Sequence, residues 1–403
     1  MASTRIAKRL AQVASSATLA LAQRAREMQA RGIDVVSLTA GEPDFQPARH
    51  VLDAAKQALD AGRTKYTAVT GIPELRDAVR ASIEREDGVR FSREQVVVSS
   101  GAKQAIYNAT LAVIDPGDEV LIIAPYWLSY RDIVLVAEGT PKILETSEAS
   151  DFLLDPAALE AAIGPRTRMV ILNSPSNPAG AAYGAAHLRA LGEVLLRHPQ
   201  VLILSDDIYR RIYFKGPLAP SLLSVAPELA PRTIVIGGCS KTFAMTGFRI
   251  GWAAAQDDAL VDAMSRLQGQ ATSNANTPSQ YAALAALTGD QRWVDEMVAT
   301  FDARRRVIVA GLGRIPGVRC FDPAGAFYAF PSFAELFGKR LPGGAILEDT
   351  EQLAAHLLET HHLVGVPGAP FGSTRHLRFS FATDLPTIEK ALARLDTAVR
   401  ALV

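Results

Sequence analysis

The chain has 403 residues, with 42 Lys plus Arg set against 42 Asp plus Glu, so it lacks the basic excess by which nucleic-acid and membrane-surface proteins are recognised. Hydrophobic residues make up 48% of it, which excludes a disordered chain and leaves enough apolar surface for a large core in two or three domains. Two cysteines, Cys239 and Cys320, cannot build a disulfide scaffold and fit a reducing compartment or a protein that does not need thiols; no apolar run approaches the roughly 20 residues of a spanning helix, and a cytoplasmic location is expected.

The first segment carries Arg5, Lys8, Arg9, Arg24 and Arg26 before its first acid, Glu27. That composition imitates an organelle transit peptide. The pattern runs on smoothly into Val35-Val36-Ser37-Leu38, so an amphipathic arm of the mature protein is expected. Pro73 suits the first position of a helix. Short β-branched runs then follow at Val96–Val98, Val120–Ile123, Met169–Leu172, Val201–Leu204 and Thr233–Ile236. Near-continuous apolar runs of this kind are strands buried on both faces of a parallel sheet. Helical stretches lie between them, for example 102–114 and 184–197, and Asp115-Pro116-Gly117-Asp118 is a turn. The alternation means an α/β layered domain.

After Thr277 the texture changes. Helical patterning covers 277–311, with Arg304, Arg305 and Arg306 expected on a solvated face. Short strands follow around Phe327–Phe330 and Leu377–Ser380, and helices at 351–360 and 385–403. The expected division is an N-terminal arm that joins the smaller domain (1–46), a large domain (47–290) and a smaller α+β domain (291–403).

In open α/β sheets, ligands bind beyond the carboxyl ends of the strands. After Val98 comes Ser99-Ser100-Gly101-Ala102-Lys103. It is either a phosphate cradle at a helix N-terminus or a tight strand-to-helix turn. After Leu172, Asn177 stands in a Pro-bounded loop, either an aimed amide or a plain turn. After Leu204 come Asp206, Asp207 and Tyr209. A carboxylate that ends a buried strand is costly unless it meets a cation, such as a protonated ring nitrogen, or caps a turn. After Ile236 come Ser240, Lys241 and Arg249 in a stretch rich in small residues. Desolvation and nearby positive charge turn such a lysine into an imine-forming nucleophile; otherwise it is a chance lysine in a surface loop. A cradle, an amide, an acid and a lysine on four loops of one sheet answer the needs of pyridoxal 5′-phosphate.

Together these residues resemble the class I aminotransferases, most closely the bacterial aspartate aminotransferase subgroup. The resemblance runs from about Arg5 to the C-terminal helix. Its most specific piece is Ser240-Lys241-Thr242-Phe243-Ala244-Met245-Thr246-Gly247-Phe248-Arg249-Ile250-Gly251. Others are Thr39–Phe45, Lys65-Tyr66, Gly71–Arg76, Pro125-Tyr126-Trp127, Asn177-Pro178 and Arg378-Phe379-Ser380. The resemblance implies a fold-type I pyridoxal-phosphate transferase: a mostly parallel sheet flanked by helices, a smaller α+β domain, and a homodimer with shared active sites. It implies Lys241 as imine lysine and proton shuttle, and Asp206 at the pyridinium nitrogen. Tyr209 and Asn177 would bond the phenolic oxygen, and Trp127 would stack on the ring. Gly101, Ala102, Ser240 and Arg249 would hold the phosphate, joined by Tyr66 from the neighbouring subunit. Arg378 would take the substrate α-carboxylate, helped by Gly41 and Asn177. Lys103, Ser16 and Thr18 match the positions that read a distal carboxylate.

Three departures from the family pattern stand out. Ala179 replaces a Thr, Asp207 a Glu, and Gly238 a phosphate-binding Ser for which Ser240 is the substitute. The implied activity is ping-pong transamination of aspartate or glutamate with 2-oxoglutarate or oxaloacetate. Prephenate and aromatic or neutral amino acids are the alternatives, and a lyase or synthase on the same fold is the alternative of a different class. No metal is expected: His356, His361 and His362 lack partners of the right kind, and Cys239 lacks a nearby His.

Overall fold

A computed structural model of the chain describes residues 6–13 and 17–403. Its centre is a seven-stranded sheet in the order Val96–Ser99, Gly251–Ala254, Thr233–Gly238, Leu202–Asp206, Thr167–Asn173, Glu119–Ile123, Thr140–Leu144. Gly251–Ala254 runs antiparallel to both neighbours and the other strands share one direction. All five expected strands are in it. Their apolar runs follow from burial on both faces. Val96, Val98, Leu121 and Val170 enter one core, while Val97, Val120, Ile122, Met169 and Ile171 enter the other. This alternation is the two-residue period of a strand read on a sheet with no wet face.

Two strands had no clear signal in the sequence. Thr140–Leu144 is the edge, where Pro141 removes a donor at little cost. Gly251–Ala254 consists of small residues and Trp252 because the helix Ala102–Val113 begins hard against it. A Cβ on Gly251 would overlap the backbone of Gly101 and Ala102. The expected helices are present as Ala102–Val113, Ala185–Leu196, Thr350–His361 and Leu385–Arg400. Pro73 opens the helix Pro73–Asp87.

The stretch 277–311 is two helices, Thr277–Thr288 and Arg292–Leu312, parted at Gly289. The solvated arginine face expected on the second is a correction. Arg304 is buried (8% exposed) and grips Asp44 through two nitrogens at 2.7 and 2.9 Å, stacked against Phe45 and Phe301. Arg305 pairs with Asp302 and Asp322. Only Arg306 faces water. The acids lie far off in sequence or on the helix itself, so the triplet looked like a surface run.

A three-stranded antiparallel sheet, Val366–Pro367, Leu377–Ser380 and Tyr328–Ala329, packs with the last helices around a third core rich in Phe. Val36–Ser37 pairs in parallel with Leu363–Val364, which ties the N-terminal segment to these elements. The backbone after Ser37 therefore passes the ends of the large sheet's strands and delivers Thr39 and Gly41 to the cavity there.

Candidate active site

A cavity of about 570 Å³ opens beyond the carboxyl ends of Thr167–Asn173, Leu202–Asp206 and Thr233–Gly238. Asn173 and Asp206 are register partners, as are Asp206 and Ile236, so three loops leave the sheet side by side. Gly41, Ala102, Lys103, Trp127, Asn177, Asp206, Tyr209, Ser240, Lys241, Arg249 and Arg378 all line this one space.

Lys241 directs its amine to the Gly41 carbonyl, with the Tyr209 and Phe327 rings 5.9 and 5.8 Å away. Desolvation above all, and then the nearby Arg378 and Arg249 guanidiniums, lower its pKa to about 8. About a tenth of the amine is then unprotonated at pH 7, against well under a thousandth for an ordinary lysine, the direction a nucleophile and base needs.

Asp206 is buried (3% exposed) at its strand end. Its Oδ2 accepts from the Tyr130 hydroxyl at 2.5 Å and its Oδ1 from the Ile208 N–H at 3.2 Å. Burial pushes it up to about 6, against the pull of Tyr130, Ile208 and Lys241. A carboxylate this desolvated is suited to a cation brought into the cavity.

Arg378 is also buried (3% exposed). Its two terminal nitrogens donate to Asn177 Oδ1 and the Thr39 carbonyl, both at 3.1 Å, and it lies over the Tyr328 and Phe371 rings. Among the described residues its Nε has no hydrogen-bond partner. Desolvation pulls its pKa below the ordinary arginine range. Among the described residues no acid pairs with this buried cation, an arrangement whose chemistry suits a carboxylate. The Asn177 N–H donates to Asn173 Oδ1, and Asn173 Nδ2 to the Asp206 carbonyl, which joins the two loops.

On the other wall, Gly101 caps the helix Ala102–Val113 at φ +91°. A Cβ there would lie 2.6 Å from Arg249 Nη2, so a glycine is needed for the guanidinium to lie across the helix N-terminus. Helix N–H groups and a guanidinium, with Ser240 lining the same cavity, are the kind of groups that suit an anion. Gly238 sits where a Cβ would be 3.1 Å from both Ile208 Cδ1 and the Ile250 carbonyl, tight packing that a serine would disturb. Ala179 is buried among Phe152, Ala181 and Phe330. A hydroxyl at that position would be surrounded by apolar groups.

Lys103 holds its ammonium 4.8 Å over the Trp127 ring. Desolvation and Arg249 lower its pKa, while Asp132 on the cavity wall opposes them. Tyr66 is not part of this cavity and is 89% exposed. Ser16 lies outside the described residues, as does the side chain of Thr18 in the helix Ala17–Ala30.

Several cavity residues escaped the sequence reading. Tyr130 and Tyr328 look like ordinary core aromatics, and Tyr328 bonds Tyr209 hydroxyl to hydroxyl at 3.0 Å. Glu42 accepts from Thr246 at 2.6 Å across the cavity mouth. Glu42 and Tyr328 stand within the segments Thr39–Phe45 and Phe327–Phe330, and Tyr130 three residues after Trp127, but nothing in their residue types marked them out.

A family model for aminotransferase class I and II matches residues 33–395. The chain is similar to an aspartate/prephenate aminotransferase of Cereibacter sphaeroides, 47% identical over 387 residues and 96% of each chain. It is 44% identical over 392 residues to an aspartate aminotransferase of Rhizobium meliloti, across 97% of this chain and 95% of that one. Among solved structures, the Rhizobium meliloti aspartate aminotransferase superposes with a TM-score of 0.96 at 43% identity over 100% of both chains. Thermus thermophilus aspartate aminotransferase with maleate gives 0.91 at 36%, over 98% of this chain and 100% of that one.

Proposed function

The chain belongs to the class I and II aminotransferases, enzymes that depend on pyridoxal 5′-phosphate, and from that premise we propose that it moves the amino group of aspartate onto a 2-oxo acid, 2-oxoglutarate or oxaloacetate. The observation that carries the reading is Lys241, its pKa lowered to about 8 in a cavity that also holds a buried acid, Asp206, and a buried cation, Arg378.

The donor set fits the coenzyme. It offers an amine for the aldehyde carbon, a desolvated acid for the ring nitrogen and, at Gly101, Ala102, Ser240 and Arg249, an anion cradle for the phosphate. Bound there, the coenzyme supplies the carbonyl carbon that exchanges with the substrate amine and the electron sink for its Cα electrons. Lys241 Nζ takes the proton from substrate Cα and returns it on the other side of the exchange. Asp206 holds a proton on the ring nitrogen by its negative charge. Tyr209 and Asn177 would hold the coenzyme's phenolic oxygen, and Trp127 would cover its ring and keep water from it. Arg378 clamps the α-carboxylate, helped by Asn177 and the Gly41 backbone. Tyr66 serves the phosphate of a neighbouring subunit. Its 89% exposure supports that role, since a bare tyrosine on one chain suits burial on another. The working form is then a cytoplasmic homodimer, with its domain division at 290/291.

Aspartate is favoured by the names of the relatives and by Lys103 at the cavity rim, to be joined by Ser16 and Thr18 at the distal carboxylate. The aspartate/prephenate relatives make prephenate the second reading, since it also carries two carboxylates. Turnover of aspartate with and without 2-oxoglutarate tests the class of reaction. Product should stop at one equivalent per site without the acceptor and continue with it. Continuous release without an acceptor would instead assign a lyase.

A further inference from the structure

Tyr130 stands in the first turn of the helix Ser129–Val136 and is 2% exposed. Its hydroxyl meets Asp206 Oδ2 at 2.5 Å, as close as a charge-assisted O–H bond becomes. The other carboxylate oxygen is held by the Ile208 N–H at 3.2 Å. Each oxygen thus has one fixed donor, and the carboxylate plane cannot turn without breaking a buried bond. The Tyr130 ring also meets Trp127 edge-on, centroids 5.3 Å apart at 88°. One side chain therefore touches both the acid assigned to the coenzyme ring nitrogen and the indole assigned to its face.

Burial and the charge on Asp206 push the Tyr130 hydroxyl well above the ordinary tyrosine range. It remains a donor at any working pH. Its bond stabilises the ionised form of Asp206 against a burial that favours the neutral one. Among the described residues, Lys241 is the cation that lowers the Asp206 pKa.

We propose that Tyr130 is a positioning residue for transamination: its hydroxyl keeps the Asp206 carboxylate ionised and aimed at the coenzyme ring nitrogen. The inference rests on the reading of Asp206 given above. Tyr130→Phe removes one oxygen atom from a packed ring, so the fold is retained, and a thermal midpoint checks that.

The test is a double-mutant cycle of Tyr130→Phe and Asp206→Asn on the holoenzyme, read as the rate of the half-reaction with aspartate. Tyr130→Phe alone should slow it by roughly tenfold to a hundredfold, the worth of a hydrogen bond to a charged group. In the Asp206→Asn background the same change should cost less than about twofold, because there is no longer a charge to hold. The second readout is the titration of the Asp206 carboxyl in coenzyme-free enzyme, by infrared difference against Asp206→Asn. It should rise in Tyr130→Phe from its starting value near 6, since a lost donor destabilises the charged form.

A Tyr130→Phe rate within about twofold of the parent, or an unmoved carboxyl titration, would overturn the proposal. So would a full loss that persists in the Asp206→Asn background, which would put the effect through Trp127. If Asp206→Asn itself left the half-reaction unchanged, the reading of Asp206 would fall, and the infrared titration would still report whether Tyr130 holds that carboxyl.

Discussion

Asp206, buried, and Asp207, half-buried, are neighbours at the end of one strand, and desolvation pushes both up, to about 6 and about 7. Asp206 faces the cavity, where two neutral donors hold it and Lys241 is the cation that lowers its pKa. Asp207 faces the other side, where Ser205 donates to it at 2.8 Å and Arg210 lowers its pKa. Arg210 is in turn held by Asp87 at 2.6 Å, which also accepts from Ser221 at 2.5 Å. The front acid is left to meet a cation that arrives with a ligand; the back acid sits in a network that the protein closes by itself. Burial of charge is costly in both places. It marks function only where the compensating group is missing from the chain.

The comparison predicts that changes on the front destroy rate and spare the fold. Lys241→Ala should give a folded protein whose half-reaction falls by roughly 10²–10⁴-fold, the scale of a lost general base. Single-turnover mixing with aspartate checks it, and normal turnover would remove Lys241 from the chemistry. Arg378→Ala should cost roughly 3–5 kcal/mol in kcat/KM with every amino donor, because it strips a desolvated charge of its partner. A loss confined to acidic donors would move Arg378 to the side-chain end of the substrate.

Changes on the back should do the reverse. Unfolded Asp207 releases its proton near the ordinary value of 3.8, whereas the folded group holds it to about 7. The stability tied to that proton is complete below about pH 4 and is lost as pH rises through about 7. Asp207→Asn cannot ionise. It should flatten the fall in stability between about pH 4 and 7, by on the order of 1–4 kcal/mol, with the half-reaction nearly unchanged. Denaturant midpoints across that range check the slope. A steeper fall in the variant would mean that Arg210 outweighs burial there.

Lys103 lies at the rim of the front and should give the smallest change. Lys103→Ala should lower the preference for aspartate over alanine by roughly tenfold, part of what a buried charge pair carries. An unchanged ratio of the two kcat/KM values would leave Lys103 as a companion of Trp127 only.

Much of the front was legible because its chemistry depends on residue type. Lys241, Asp206 and Asn177 follow apolar strands that announce themselves, and the small residues around Lys241 separate it from a surface lysine. Arg378 became visible through the resemblance, since one arginine in a short strand has no signature of its own. Tyr130 was illegible for a physical reason. A tyrosine among Ile and Val reads as core, and only the fold brings its hydroxyl to Asp206. Arg304 misled for the same reason: Asp44, which buries it, is distant in the chain. The strands Thr140–Leu144 and Gly251–Ala254 were lost to an edge proline and to small residues chosen for close packing.

The central claim is that this cavity transfers an amino group through Lys241. It is tested most directly by mixing the coenzyme-loaded enzyme with aspartate alone and following the coenzyme absorbance. The prediction is complete conversion to the amine form, with one equivalent of oxaloacetate per site, and no conversion in Lys241→Ala. An unchanged spectrum with aspartate and every other amino acid, or equal conversion by Lys241→Ala, would contradict the account.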